Sequence, residues 1–333
     1  MTWAGPTRKL YVSWQGIGGV NLYRAVRAVA DSGGDGPVDW TAVGTAARAG
    51  TDPGDVALSE AERQGYADDV ADARDAVRTV AGVEFDLPEH AQVQNRHHWI
   101  DANLVTFERL LAPLENRTVL APSLARSANT GSMAITLGFL ANNVLGQYDP
   151  LLLGDGDHEL YFVHPNIEAA ATDLEVDHDR FRRWIAFHEV AHAAEFGVAP
   201  WLSGRLETAA EEAVSKLANG NFDRSALGEL DRTMTAVEGY AELVMDRAFD
   251  REYADLREKL DERRANVGPV STVIRRLLGF GMKRRQYERG RKFFDAVADA
   301  RGVENAAVVW DSPDNLPTDE ELDDPERWLA RVD

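Results

Sequence analysis

The chain has 333 residues, no cysteine and a formal charge of −20, from 56 acidic against 36 basic side chains. Without thiols there are no disulfides and no thiolate ligands, so any bound metal must rest on histidine and carboxylate. A balance this acidic argues against general nucleic-acid binding and fits a surface kept hydrated in a high-salt cytoplasm.

The hydrophobic content of 44% is ordinary for a globular protein and supplies one large core or two modest ones. The first residues lack the charged start and apolar run of a signal peptide, so a cytoplasmic location is expected. No run reaches the roughly 18 apolar residues of a membrane span.

Residues 9–14 read as a short strand, followed by Gly16-Ile-Gly18-Gly19 and a helical run from Val20 to about Ala30. The order resembles a phosphate loop, but Asn21 replaces the third glycine and no Gly-Lys-Ser/Thr follows, so the glycines read as a turn. Trp40–Gly50 and Ser59–Val80 have helical patterns, with Asp52-Pro53-Gly54 turning the chain between them. His97 and His98 are adjacent, point to different faces and make a poor chelating pair; a helix is expected over Ile100–Leu111. Residues 127–146 are uncharged and rich in small side chains, the pattern of a buried helix. A turn is expected at Gly146–Pro150, then strands at Leu151–Leu153 and Glu159–Val163 around a hairpin turn.

The chemistry concentrates in Phe181–Gly197, which contains His188-Glu189-x-x-His192. Two histidines at i and i+4 lie one helical turn apart on one face, close enough to bind a single Zn²⁺. The glutamate between them can take a proton from a metal-activated water. Asp177 or Asp179 can cap the helix start, and Gly197 with Pro200 is expected to end it. Phe181, Trp184, Ile185, His188 and His192 share a face, so the helix is largely buried and its histidines need partners. The competing reading is a pair of hydrogen-bonded core histidines.

After a break at Asn219-Gly220-Asn221, a second helix is expected over Asp231–Asp250. Glu238 and Glu242 share a face there, with Asp246 one turn further. Three stacked acids repel one another without a cation, although a solvated acidic stripe looks the same in sequence. Further helices are expected at 251–264, 271–278 and 286–300. A basic cluster, Arg275, Arg276, Lys283, Arg284, Arg285, Arg289, Arg291 and Lys292, is either paired internally or a seat for an anionic ligand. Trp328 and Leu329 are expected to anchor the acidic end of the chain onto the body.

The string Glu238-Gly-Tyr-Ala-Glu242 resembles the EGxA helix of the gluzincins. The resemblance implies Glu238 as third zinc ligand and Glu242 as a carboxylate supporting His188 or His192; a second alignment makes Glu242 the ligand and Asp246 its support. Glu238 is preferred because glycine follows it. More widely, Trp99–Asn103, Val144–Asp149, Pro165-Asn166, the HEVAH helix through Trp201-Leu202, Glu238-Gly239, Lys283–Gly290, Val309-Trp310 and Leu316–Thr318 are similar to a family of zincin-like proteins of actinobacteria and haloarchaea. That family is described as zinc-dependent metalloproteases without an assigned substrate, one subgroup being associated with organisms that make coenzyme F-420.

The resemblance implies a mainly α, gluzincin-type fold with a few short strands. Residues 1–80 would form a strand and helix region packed on an 81–333 metallohydrolase domain, the whole being one unit. It implies a Zn²⁺ cofactor, Glu189 as general base, and a peptide or small amide as substrate. Tyr240, Tyr148 and His164 are the candidate oxyanion donors. The alternative is a non-catalytic, metal-stabilised binding protein.

Overall fold

The computed structural model describes residues 20–21, 24–25, 36–111, 122–149, 158–218, 227–249 and 283–332, with four positions between 253 and 259; the side chains of 122–124 and 283–287 fall outside that description. The strands expected at 9–14 and 151–153, the glycine turn at 16–19, the break at 219–221 and the helix at 271–278 lie outside the described residues, as does most of 251–264.

The fold is mainly α. Helix α1 (Trp40–Gly50) starts at Asp39, whose carboxylate accepts from Ala42 N at 2.9 Å. Helix α2 (Glu60–Ala81) opens on a capping box in which Ser59 and Glu62 bond each other's backbone N–H. Strand β1 (Ala91–Gln94) precedes α3 (Arg96–Leu111), and α4 (Pro122–Ala141) leads into strand β2 (Gly146–Asp149). Strand β3 (Glu159–Val163) runs directly into α5 (His164–Asp173), which Pro165 can start because the first turn needs no N–H. The helices α6 (His178–Val198), α7 (Leu202–Ala218), α8 (Gly228–Ala248) and α9 (Lys283–Arg301) follow.

The sheet has the order β1-β3-β2, with β1 parallel and β2 antiparallel to β3. Here the expectation of a turn at Gly146–Pro150 is corrected. Gly146–Asp149 is an edge strand, paired through Gly146↔Phe162 to Asp149↔Glu159. Its glycine and its polar residues hid it, because strand formation there depends on a partner distant in sequence.

The main core lies where α6 meets α2 and α8 and where α8 meets α9. Phe181, Ile185, Phe187 and Val190 of α6 pack with Val237, Leu243 and Val244 of α8 and with Phe293 and Phe294 of α9. Each such side chain contributes about 1.5–3 kcal/mol of transfer free energy when buried. Ala73 and Val77 of α2 belong to the same core. A smaller cluster under α1, α3 and α4 gathers Trp40, Val43, Trp99, Ile100 and Leu137.

The end of the chain folds back through short turns and the helices α10 (Val303–Ala306), α11 (Asp319–Asp323) and α12 (Pro325–Arg331). Trp328 is fully buried and donates its Nε1–H to Asn315 O at 2.7 Å, so it anchors this segment. Arg289 bonds Asp319 and Asp323 of α11 at 2.8 and 2.6 Å, and Arg291 pairs with Asp246 at 3.0 Å and Asp295 at 3.3 Å. These two members of the basic cluster are paired internally; Arg275, Arg276 and the side chains of Lys283, Arg284 and Arg285 lie outside the described residues. No helix of the described residues is long and apolar enough to cross a membrane.

Candidate metal centre

Asp177 caps α6, accepting from Arg180 N at 2.9 Å, so the helix begins at His178 and the motif sits in fully hydrogen-bonded turns. The helix runs on through Gly197 to Val198. Gly197 is required by packing rather than termination, since a β-carbon there would come within 2.7 Å of Phe85 Cβ. Phe181 stacks on Trp184, and Trp184 stacks on the His188 ring at 5.8 Å with 5° between the planes. This stack fixes the His188 ring on the buried face.

Helix α8 brings Glu238 opposite the histidines. A β-carbon on Gly239 would lie 2.5 Å from Gly290 C, and one on Gly290 would lie 2.2 Å from Thr235 O. The glycine after Glu238 thus allows α8 and α9 to cross backbone against backbone, one residue from the carboxylate.

Ligand atoms of His188, His192 and Glu238 lie within 4.8 Å of one another. The two Nε2 atoms face each other at 3.3 Å, and Glu238 Oε2 is 4.0 Å from His188 Nε2. The far side of each ring faces an acceptor. His192 Nδ1 is 2.8 Å from Glu195 Oε2, and His188 Nδ1 is 3.4 Å from Met245 Sδ. Both partners can accept, so with a metal at Nε2 each ring donates its Nδ1–H to that partner and presents the Nε2 lone pair. Two lone pairs and a carboxylate converging in a buried space repel one another unless a cation joins them.

The electrostatics point the same way. Burial of the His192 ring disfavours its charge, yet the hydrogen bond and charge of Glu195, with Glu238 and Glu189 nearby, raise it to about 9. Burial likewise raises Glu195 to about 8, against the pull of His192. The pair holds a proton tightly near neutrality, and a divalent cation would supply that positive charge and release the proton. The donor set of two imidazoles and one carboxylate suits zinc with a fourth position for water.

Glu189 is positioned by β2. Its Oε2 accepts from Tyr148 N at 2.9 Å, and a β-carbon on Gly146 would lie 2.7 Å from Glu189 Cγ. Side chains from separate stretches hold β2 there. Trp99 Nε1–H donates to Gln147 Oε1 at 2.7 Å, and Gln147 Nε2–H donates to Asn103 Oδ1 at 3.0 Å. Asn166 Nδ2–H bonds Ala141 O and Val144 O at 2.8 and 2.6 Å, while Arg96 Nε–H donates to Asn166 Oδ1 at 2.6 Å.

The remaining candidates are distributed as follows. Glu242 is buried on α8 one turn beyond Glu238, and Asp246 forms the ion pair with Arg291. Tyr148 sits beside Glu189 through its backbone, and its hydroxyl is 2.9 Å from His158 Nδ1. The Tyr240 ring is enclosed by Phe294 and Trp310, and its hydroxyl has no hydrogen-bond partner among the described residues. Burial, with the nearby charge of Glu195, raises that hydroxyl.

His164 is placed against the start of α6 rather than beside the histidine pair. It bonds Tyr66 Oη at 3.0 Å and lies 5.7 Å from the His178 ring, and His178 starts α6, ten residues and about 15 Å along the helix before His188. His164 ties α5 to α2 instead of facing the metal centre. His97 bonds Thr51 O at 2.8 Å. Sequence reading missed Glu195 and Met245. Glu195 had a signal, an acid three residues after His192 on a buried helix. Met245 had none.

The family model of the zincin-like metallopeptidases matches residues 38–222 and 211–329. A crystal structure from Chloroflexus aurantiacus, described as a candidate hydrolase with a novel fold, is similar at a TM-score of 0.70 and 28% identity, over 94% of this chain and 98% of that one. No curated protein matches the chain. With the matched segments running across nearly all the described elements and through all three donor residues, the chain belongs to the zincin-like metallopeptidase family.

Proposed function

We propose that this protein is a zinc-dependent hydrolase of amide bonds, a metallopeptidase by reaction type. The observation that carries this reading is the convergence of His188 Nε2, His192 Nε2 and the Glu238 carboxylate, with an acceptor facing Nδ1 of each ring. Zinc held by these three groups would supply the Lewis acidity that makes water ionisable near neutral pH and polarises a carbonyl. Glu189 is the general base. The Tyr148 N–H fixes Glu189 Oε2, and Gly146 leaves room for the carboxylate beside the strand. Glu189 takes the proton of the attacking water and passes it to the leaving amine. Of the proposed oxyanion donors we retain Tyr148, which stands on the strand beside the base.

Zinc content and hydrolysis test the reading together. Wild type should hold about one zinc and cleave an amide, and Glu189→Gln should keep the zinc while hydrolysis falls about 10²–10⁴-fold. The substrate panel pairs casein-like chains with small amides, including amides related to coenzyme F-420 because of the family resemblance. A wild type that binds zinc and cleaves nothing on the panel would favour a metal-stabilised binding protein. A wild type that binds no zinc would sink both readings.

A further inference from the structure

We propose that Glu195 is the positioning residue of the metal centre, the carboxylate that holds His192 in the ligating tautomer and orientation. The gluzincin resemblance implied this role for Glu242. The geometry points to Glu195 for three reasons. Its Oε2 is 2.8 Å from His192 Nδ1, on the side of the ring opposite the Nε2 that faces His188. Its side chain is fully buried, 0% exposed, so water does not compete for the contact. It also lies three residues after His192 on α6, so the contact is made within one helix and does not depend on how α8 docks.

The chemistry requires an acceptor in that position. A metal-binding imidazole presents one nitrogen and donates the N–H of the other, and the group receiving that N–H sets tautomer, ring angle and basicity. His188 has a softer counterpart in the Met245 sulfur at 3.4 Å. A thioether is a weak acceptor, so the two histidines are held unequally. His192 Nδ1 thus faces a carboxylate, while the His188 ring also stacks on Trp184. Glu195 therefore contributes more to zinc retention than its distance from the ligand triangle suggests. This inference rests on the proposed zinc site.

The test is zinc affinity by chelator competition, with the visible spectrum of the cobalt-substituted protein and the melting temperature of the metal-free protein. Glu195→Gln keeps size and removes charge; Glu195→Asp keeps charge and withdraws the carboxylate by one methylene. Both variants should lose zinc affinity about 10–100-fold. Both should also alter the cobalt spectrum, which a purely structural role would leave unchanged. Should Glu195→Gln melt below the assay temperature, Glu195→Asp carries the same measurement. Wild-type affinity within threefold and an unaltered cobalt spectrum in either folded variant would overturn the proposal while leaving the zinc site intact. A wild type without zinc, unchanged by His192→Ala, would overturn the site itself and the role with it.

Discussion

At the scale of single residues, the site is built by side chains acting at one remove from the chemistry. Gly146 is an example. A β-carbon there would press on the Glu189 carboxyl group, 2.7 Å from Cγ and 2.9 Å from Oε1. Gly146→Ala should retain zinc and lose kcat by about 10²-fold, since a displacement of about 1 Å suffices for such a loss; unchanged kcat would mean that Glu189 is not held where it acts. His164 makes a prediction of a different kind. Burial pushes its pKa below the usual histidine range, reinforced by His178 and opposed by Glu168. The unfolded chain then binds the proton more readily than the native one. Stability should be level above about pH 6.5 and fall as pH drops below it. In His164→Asn that part of the acid limb should flatten, as read by urea denaturation at several pH values.

At the scale of elements, the decisive feature is how helices and one strand are pinned around α6. The Gly239–Gly290 crossing lets α8 and α9 touch through their backbones one residue from Glu238. Gly239→Ala should destabilise the fold by about 1–3 kcal/mol through overpacking, with reduced zinc affinity, measured by melting and by metal titration. Wild-type stability would show that the crossing is loose. On the other flank, the Asp69–Arg182 ion pair at 2.7 Å fastens α2 to α6. Gly65 leaves the space that the guanidinium fills, a β-carbon there lying 2.5 Å from Arg182 Nη2. Residues 60–81 are therefore built into the same core as the HExxH helix.

At the scale of the whole molecule, charge is the governing quantity. A chain carrying −20 repels itself, and salt screens that repulsion. Exposed pairs such as Arg327–Glu320 and Arg63–Glu60 contribute little and are weakened by salt. The net self-repulsion should dominate, so the melting temperature should rise between low and molar salt. A fall would mean that the surface pairs matter more than the total charge.

The HExxH helix was legible because its information is local: ligand spacing, cap and apolar face all lie within about twenty residues. The acids of the second helix were equally visible, and so was Trp328 as an anchor. Spacing alone did not rank the acids, because i, i+4 is the same for Glu238–Glu242 and Glu242–Asp246; only the glycine after Glu238 favoured it. Tertiary structure groups Glu238 with the two histidines and pairs Asp246 with Arg291, and the proposed ligand set rests on that grouping. It also decided that Gly146–Asp149 is a strand, since a short polar edge strand exists only by virtue of its partner. And it assigned the motif stretches around Trp99, Asn103, Gln147 and Asn166 a common task, holding that strand against Glu189 through hydrogen bonds between residues up to 70 positions apart in the chain. Periodicity is a property of neighbours along the chain; convergence of this kind is a property of packing.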